Sequence, residues 1–204
     1  MGARIAVLVS GSGTNLQALL DDDAIAPHIA VVLSDRSGVA ALDRASGRDV
    51  EAIVLEPSAY PDRDMYTDAV RDALVERSVD TVVLAGFMRV LGASFFEAFP
   101  ERVLNVHPAL LPSFPGAHAV ADALEWGAKV TGVTVHLVDE QVDHGPIVLQ
   151  AAIEVRDDDT WDTLEPRVHA VEHRLLPAAV RALLDGRVVV EGRKVRIIEG
   201  ERSR

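Results

Sequence analysis

Ile5-Ala6-Val7-Leu8-Val9-Ser10-Gly11-Ser12-Gly13-Thr14-Asn15-Leu16 carries the fold in one stretch. Residues 4–9 form an apolar run suited to a strand buried on both faces. A glycine-rich turn follows, and residues 15–20 read as a helix. Strand, glycine loop and helix open an α/β sheet, and such a loop lies at the carboxyl end of its strand, where ligands bind. Working outward, the alternation repeats. Strands are expected at 29–33, 52–55, 81–84 and 103–106, and helices at 39–46, 62–77 and 93–99. In 62–77 the apolar Met65, Ala69, Val70, Ala73 and Leu74 recur at helical spacing. The pattern predicts a Rossmann-like α/β fold, a mostly parallel twisted sheet flanked by helices.

The second half changes character. Pro108, Pro112, Pro115 and Gly116 place a loop after His107. A helix at 117–126 precedes two strands, 129–138 and 147–153, that flank a turn at Asp143. Residues 160–184 form a long helical pattern that Gly186 can terminate. Pro177 lies inside it, cannot donate to the carbonyl of His173, and is expected to kink the helix. Residues 188–190 and 194–198 around Glu191-Gly192 read as a hairpin. The expected organisation is a single domain over 1–204, with a phosphate-binding half at 1–100 and a catalytic half at 101–204.

Composition removes whole classes of chemistry. The chain has 204 residues and no cysteine, so disulfides, thiolate nucleophiles and cysteine-based zinc sites are excluded. Its first apolar stretch is too short for a signal peptide, and no run approaches a membrane span, so a cytoplasmic enzyme without membrane contact is expected. A net charge of −12 argues against a nucleic-acid partner, which needs a basic face. It leaves room for a small anion held by backbone N–H groups. Asp157-Asp158-Asp159 reads as a solvated run or as charge near a helix N-terminus. Three consecutive carboxylates do not converge on one point, and no metal is expected.

Asn105-Val106-His107-Pro108, taken with Asp143 in Val142-Asp143-His144-Gly145-Pro146, offers an amide, an imidazole and a carboxylate. Acyl transfer needs such a set: an oxyanion donor, a proton-handling group and a charge to tune it. Two residues apart on an extended chain, Asn105 and His107 point the same way. Taken alone, the pair also fits a capped strand end beside a surface histidine, and Asp143 fits a turn. The loop Ser10–Asn15 is no Walker A motif, and Leu16 spoils a dinucleotide fingerprint. It reads either as a tight turn with a capped helix or as a phosphate cradle. His136 alternates with Val135 and Leu137, so it supports the site or serves as a hydrogen-bonded structural histidine.

These segments, joined by Leu84-Ala85-Gly86-Phe87-Met88-Arg89, Leu110-Leu111-Pro112 and Phe114-Pro115-Gly116, follow one another in a known order. The chain resembles the folate-dependent formyltransferases, and among them the glycinamide ribonucleotide transformylase family. The resemblance implies transfer of a formyl group from the co-substrate 10-formyltetrahydrofolate to the amine of glycinamide ribonucleotide in purine biosynthesis. It implies Asn105, His107 and Asp143 as catalytic residues. It puts the substrate on Gly13, Thr14 and Asn15 and on His169, Ala170, Val171 and Glu172. Folate contacts would come from Arg63, Met88, Arg89, Val90 and Leu91, and from Asn105, Asp139, Glu140, Gln141, Val142 and Asp143. Small molecules are the implied partners, with a homodimer as an option.

The sequence departs from the family pattern at Ala109, Ser113 and His144, the last putting a second imidazole beside Asp143 in the chain. Asp143 is expected to favour the imidazolium and so to raise the His107 pKa. Competing readings are a formyltetrahydrofolate deformylase, expected to carry a further N-terminal domain, and a methionyl-tRNA formyltransferase, expected to carry a C-terminal tRNA-binding domain and more positive charge. A dinucleotide-binding regulatory module is a third, against which Leu16 and the Asn-x-His-Pro segment count.

Overall fold

A computed structural model describes residues 2–199. Strands β1 (Ile5–Val9), β2 (Ile29–Ser34), β3 (Glu51–Val54), β4 (Thr81–Leu84), β5 (Val103–His107), β6 (Val130–Leu137) and β7 (Ile147–Glu154) join in one sheet, ordered β3-β2-β1-β4-β5-β6-β7. Helices α1 (Thr14–Leu20), α2 (Ala40–Ser46), α3 (Arg63–Glu76) and α4 (Ala93–Ala98) alternate with the first five strands. Further along come α5 (Ala119–Glu125), α6 (Trp161–Leu184) and the hairpin β8 (Val188–Glu191) and β9 (Lys194–Ile197). The expected mostly parallel α/β architecture is the one observed. The chain groups into two units, one of residues up to Asn105 with Val138–Glu140, the other of Val106–Leu137 and Gln141 onward.

In the first unit β1 pairs in parallel with β2 and β4, β2 with β3, and β4 with β5. Every residue of β1 is fully buried, which is why its sequence is a continuous apolar run rather than an alternation. On α3 the residues Tyr66, Val70 and Leu74, one turn apart, face the core that Phe95 fills from α4. Asp62 caps α3 by accepting from Met65 N–H at 2.8 Å. Strand order reverses between β1 and β4, the topological switch point at which α/β sheets bind ligands. There Ser10 N–H donates to Gly86 O at 3.1 Å, and Met88 N–H to Ser10 Oγ at 2.9 Å.

In the second unit β6 and β7 run antiparallel, and α6 packs on both. Gly132 in β6 admits no side chain, because a Cβ there would lie 2.2 Å from Ala151 O and 2.6 Å from Leu110 Cδ2. Helix α6 is continuous through Pro166 and Pro177. Its buried stripe runs Leu164, Val168, Glu172, Leu176 and Leu183. The acidic run ahead of α6 is engaged: Asp157 meets Lys129 at 2.5 Å and Asp159 pairs with Arg167. No helix among the described residues is long and apolar enough to cross a membrane.

Candidate active site

The site begins at the carboxyl end of β5. His107 is 4% exposed there, and the proline-rich loop after it is tied down by the neighbouring strands. Thr134 Oγ on β6 donates to Ala109 O at 2.7 Å and accepts from Leu111 N–H at 3.0 Å. Gln150 on β7 donates to Leu111 O at 2.9 Å. With the loop held, Phe114 takes a φ of +52° and its carbonyl lies 2.8 Å from His107 Nε2. A carbonyl only accepts, so Nε2 carries the proton and Nδ1 is the ring nitrogen left for chemistry.

Nδ1 faces Asp143 Oδ2 at 3.4 Å. That oxygen also accepts from Gly116 N–H at 2.7 Å. The other carboxylate oxygen lies 3.7 Å from His136 Nε2, whose ring is fully buried and whose Nδ1 meets Leu137 O at 2.9 Å. Asp143 therefore stands between two imidazoles, and the second belongs to His136. His144, the second imidazole beside Asp143 in the chain, is exposed, and its ring meets Arg193. The signal for His136 was its place on the inward face of β6 together with Thr134.

Electrostatics revises one expectation. Burial pushes the His107 pKa down, and this outweighs the upward pull of Asp143 and the Phe114 carbonyl, so the net shift is below the ordinary value rather than above it. Asp143 acts in the expected direction, but desolvation of the charged ring is larger. For Asp143 itself burial pushes up, but His136, the Gly116 N–H and His107 together hold it below the ordinary carboxylate range. Both shifts favour a neutral His107 beside an ionised Asp143 near neutral pH. Asn105 sits half-buried two residues earlier on β5.

The remaining predicted residues fall into three groups. At the glycine loop, Gly13 has a φ of +71°, and a Cβ there would lie 2.7 Å from Ala41 Cβ, so close approach to α2 already requires glycine. Arg44, which sequence reading passed over, donates to Ser12 O at 2.8 Å and to Gln17 at 3.0 Å, bracing the loop that leads into Thr14 and Asn15.

Second, Arg63, Met88, Arg89 and Val90 line a cavity of about 450 Å³ with Tyr60 and Tyr66. Arg89 is turned by Asp35, a fully buried carboxylate 2.6 Å from its Nε. Leu91 lies apart from the cavity lining, in the core cluster that includes Phe95. Of the later folate-side residues, Asp139 and Glu140 belong to the first unit and Gln141, Val142 and Asp143 to the second.

Third, Glu172 is 5% exposed within the apolar stripe of α6, with His169 Nε2 4.0 Å away. His169 also stacks on His173 at 6.0 Å between centroids. His173 was not singled out from sequence; burial and then His169 lower its pKa, and its Nε2 is buried without a hydrogen-bond partner. Ala170 is exposed and Val171 half-buried. Among the described residues no cluster of His, Asp or Glu could hold a metal ion.

The sequence profile described as formyl transferase matches residues 3–180. The chain belongs to the formyl transferase family. This formyl transferase is 46% identical over 204 residues to phosphoribosylglycinamide formyltransferase of Mycobacterium tuberculosis, covering 96% of this chain and 94% of that protein. It is 43% identical over 189 residues to the trifunctional purine biosynthetic protein adenosine-3 of Bos taurus, of whose length it spans 19%. Among solved structures, glycinamide ribonucleotide transformylase 1 from Symbiobacterium toebii superposes with a TM-score of 0.94 at 48% identity, covering 97% of this chain and 95% of that one.

Proposed function

We propose that this formyl transferase moves the formyl group of 10-formyltetrahydrofolate to the amine of glycinamide ribonucleotide, giving formylglycinamide ribonucleotide and tetrahydrofolate in purine biosynthesis. The observation that carries the reading is the buried His107–Asp143 pair, with Nε2 tied to Phe114 and only the Nδ1 edge left for a proton. Transfer forms a bond from the amine nitrogen to the formyl carbon and breaks the bond from that carbon to N10. One proton must leave the attacking nitrogen and one must reach N10.

In this reading the neutral His107 ring takes the proton of the attacking amine at Nδ1, and Asp143 stabilises the imidazolium that forms. The imidazolium N–H and the amide of Asn105 donate to the oxyanion, and the proton passes to N10 as the bond from the formyl carbon to N10 breaks. Such an oxyanion donor is worth about 10²–10³ in rate, and a placed acid–base group about 10²–10⁴. His136 holds the far side of Asp143. Gly13, Thr14 and Asn15 are assigned to the substrate phosphate, with His169 and Glu172 for the ribonucleotide. The cavity beside Arg63 and Arg89 suits an aromatic ligand that ends in a carboxylate, as folate does.

The test is tetrahydrofolate release from 10-formyltetrahydrofolate with and without glycinamide ribonucleotide. Release that requires the ribonucleotide supports the transferase. Release indifferent to it makes water the acceptor and overturns the proposal in favour of a deformylase.

A further inference from the structure

We propose that Arg193, at the tip of the β8–β9 hairpin, is a positioning residue that fixes the loop carrying the Asp143 carboxylate. The inference rests on the role given to Asp143 above.

Asp143 has a φ of +52°, a left-handed conformation that a non-glycine residue keeps only when its surroundings hold it. One hold comes from inside, where Gly116 N–H donates to its carboxylate at 2.7 Å. A second closes the base of the loop, where Leu137 N–H donates to Pro146 O at 2.9 Å. The third comes from outside. Arg193 Nη2 donates to the backbone oxygen of His144 at 2.7 Å, and Nη1 lies 3.2 Å from His144 Nε2. A guanidinium only donates, so His144 Nε2 is the acceptor in this contact. The fork thus grips the main chain and the side chain of the residue next to Asp143.

The hairpin delivers this grip from a fixed base. Ile198 N–H donates to Arg187 O at 2.9 Å, Glu191 pairs with Lys194 across the turn, and Gly192 supplies the φ of +62° that turns the chain. Strand β9 lies against β7, the strand that leaves the loop at Ile147. The neighbouring arginines behave otherwise: Arg187 pairs with Asp185 and Arg196 with Glu191. Arg193, in a chain of net charge −12, makes no ion pair with a carboxylate among the described residues, and its hydrogen bonds go to His144. The hairpin also lies beyond residues 3–180, the part shared with the family profile. The brace is therefore supplied by a segment beyond the family profile and reaches back to the residue beside the Asp143 carboxylate.

The experiment uses the full chain, isotope-labelled, with Arg193→Ala, Arg193→Lys and His144→Ala. Amide exchange at residues 142–145 and the titration of the His107 ring are followed without substrate, and kcat and KM with both substrates. In Arg193→Ala the loop amides should exchange about tenfold faster, a loss on the scale of one charge-assisted hydrogen bond. His107 should titrate at lower pH, because Asp143 pulls on it less. The kcat should fall about three- to tenfold while the global unfolding midpoint holds. Arg193→Lys, which keeps the charge without the fork, should restore part of the protection, and His144→Ala should lose less than Arg193→Ala because its carbonyl remains. Unchanged loop exchange and unchanged His107 titration in Arg193→Ala would make the contact an ordinary surface bond and overturn the proposal. So would an activity loss matched by an equal loss of global stability. A wild-type chain with no ribonucleotide-dependent turnover would instead refute the functional reading, since the exchange and titration results need no substrate.

Discussion

Asp143→Asn removes a charge and keeps a shape. The amide oxygen can still accept from Gly116 N–H, so the loop keeps its inner anchor. What is lost is the attraction between the carboxylate and a protonated His107 ring whose Nδ1 lies 3.4 Å away. At that separation two unit charges attract by about 5 kcal/mol at an effective dielectric near 20, and by about 1 kcal/mol at that of water. The Asp143 side chain is 10% exposed and that of His107 4%, which places the pair between these limits. A loss of about 3 kcal/mol corresponds to a fall of about 10² in kcat.

The assay is steady-state turnover with both substrates, beside an NMR titration of the His107 ring. Without the carboxylate the upward pull on His107 disappears and burial acts with less opposition, so the ring should titrate lower than in the parent protein. The unfolding midpoint should change little. A variant with near-parental kcat, or one whose His107 titrates higher, would refute the claim that Asp143 stabilises the imidazolium.

Asn105→Ala should lower kcat by about 10²–10³ while ribonucleotide affinity by calorimetry stays within a factor of a few; intact turnover removes Asn105 from the oxyanion. Stability against urea should fall as pH drops below about 7. His107 in the folded protein titrates below 6.5, so the unfolded chain takes up its proton first. His107→Gln should flatten that part of the profile. The stability from Asp143, whose folded pKa lies below 3.8, should persist to lower pH and fade only as the pH drops through the folded value.

Much of the fold was legible because its signals are local. The apolar run of β1, the helical spacing of Met65, Ala69, Val70, Ala73 and Leu74 in α3 and the Glu191-Gly192 turn each specify their own conformation within a few residues. The Asn105/His107 spacing was legible for the same reason, since strand period alone decides which side chains share a face. Glu172 was harder: an isolated helical glutamate reads as a solvated face, and only its spacing of one turn from Val168 and two from Leu164 puts it in the buried stripe of α6.

The sequence by itself determined the order of strands and helices, the glycine loop at the end of β1, and the amide, imidazole and carboxylate available for chemistry. Tertiary structure decided what those groups can do. It chose Nδ1 over Nε2 by bringing the Phe114 carbonyl to the ring, and it brought His136 from β6 to Asp143. It also reversed the expected shift of His107. The reason is physical. Backbone conformation is set by neighbours along the chain, whereas a proton's position and a charge's cost depend on desolvation and on partners brought together from distant segments.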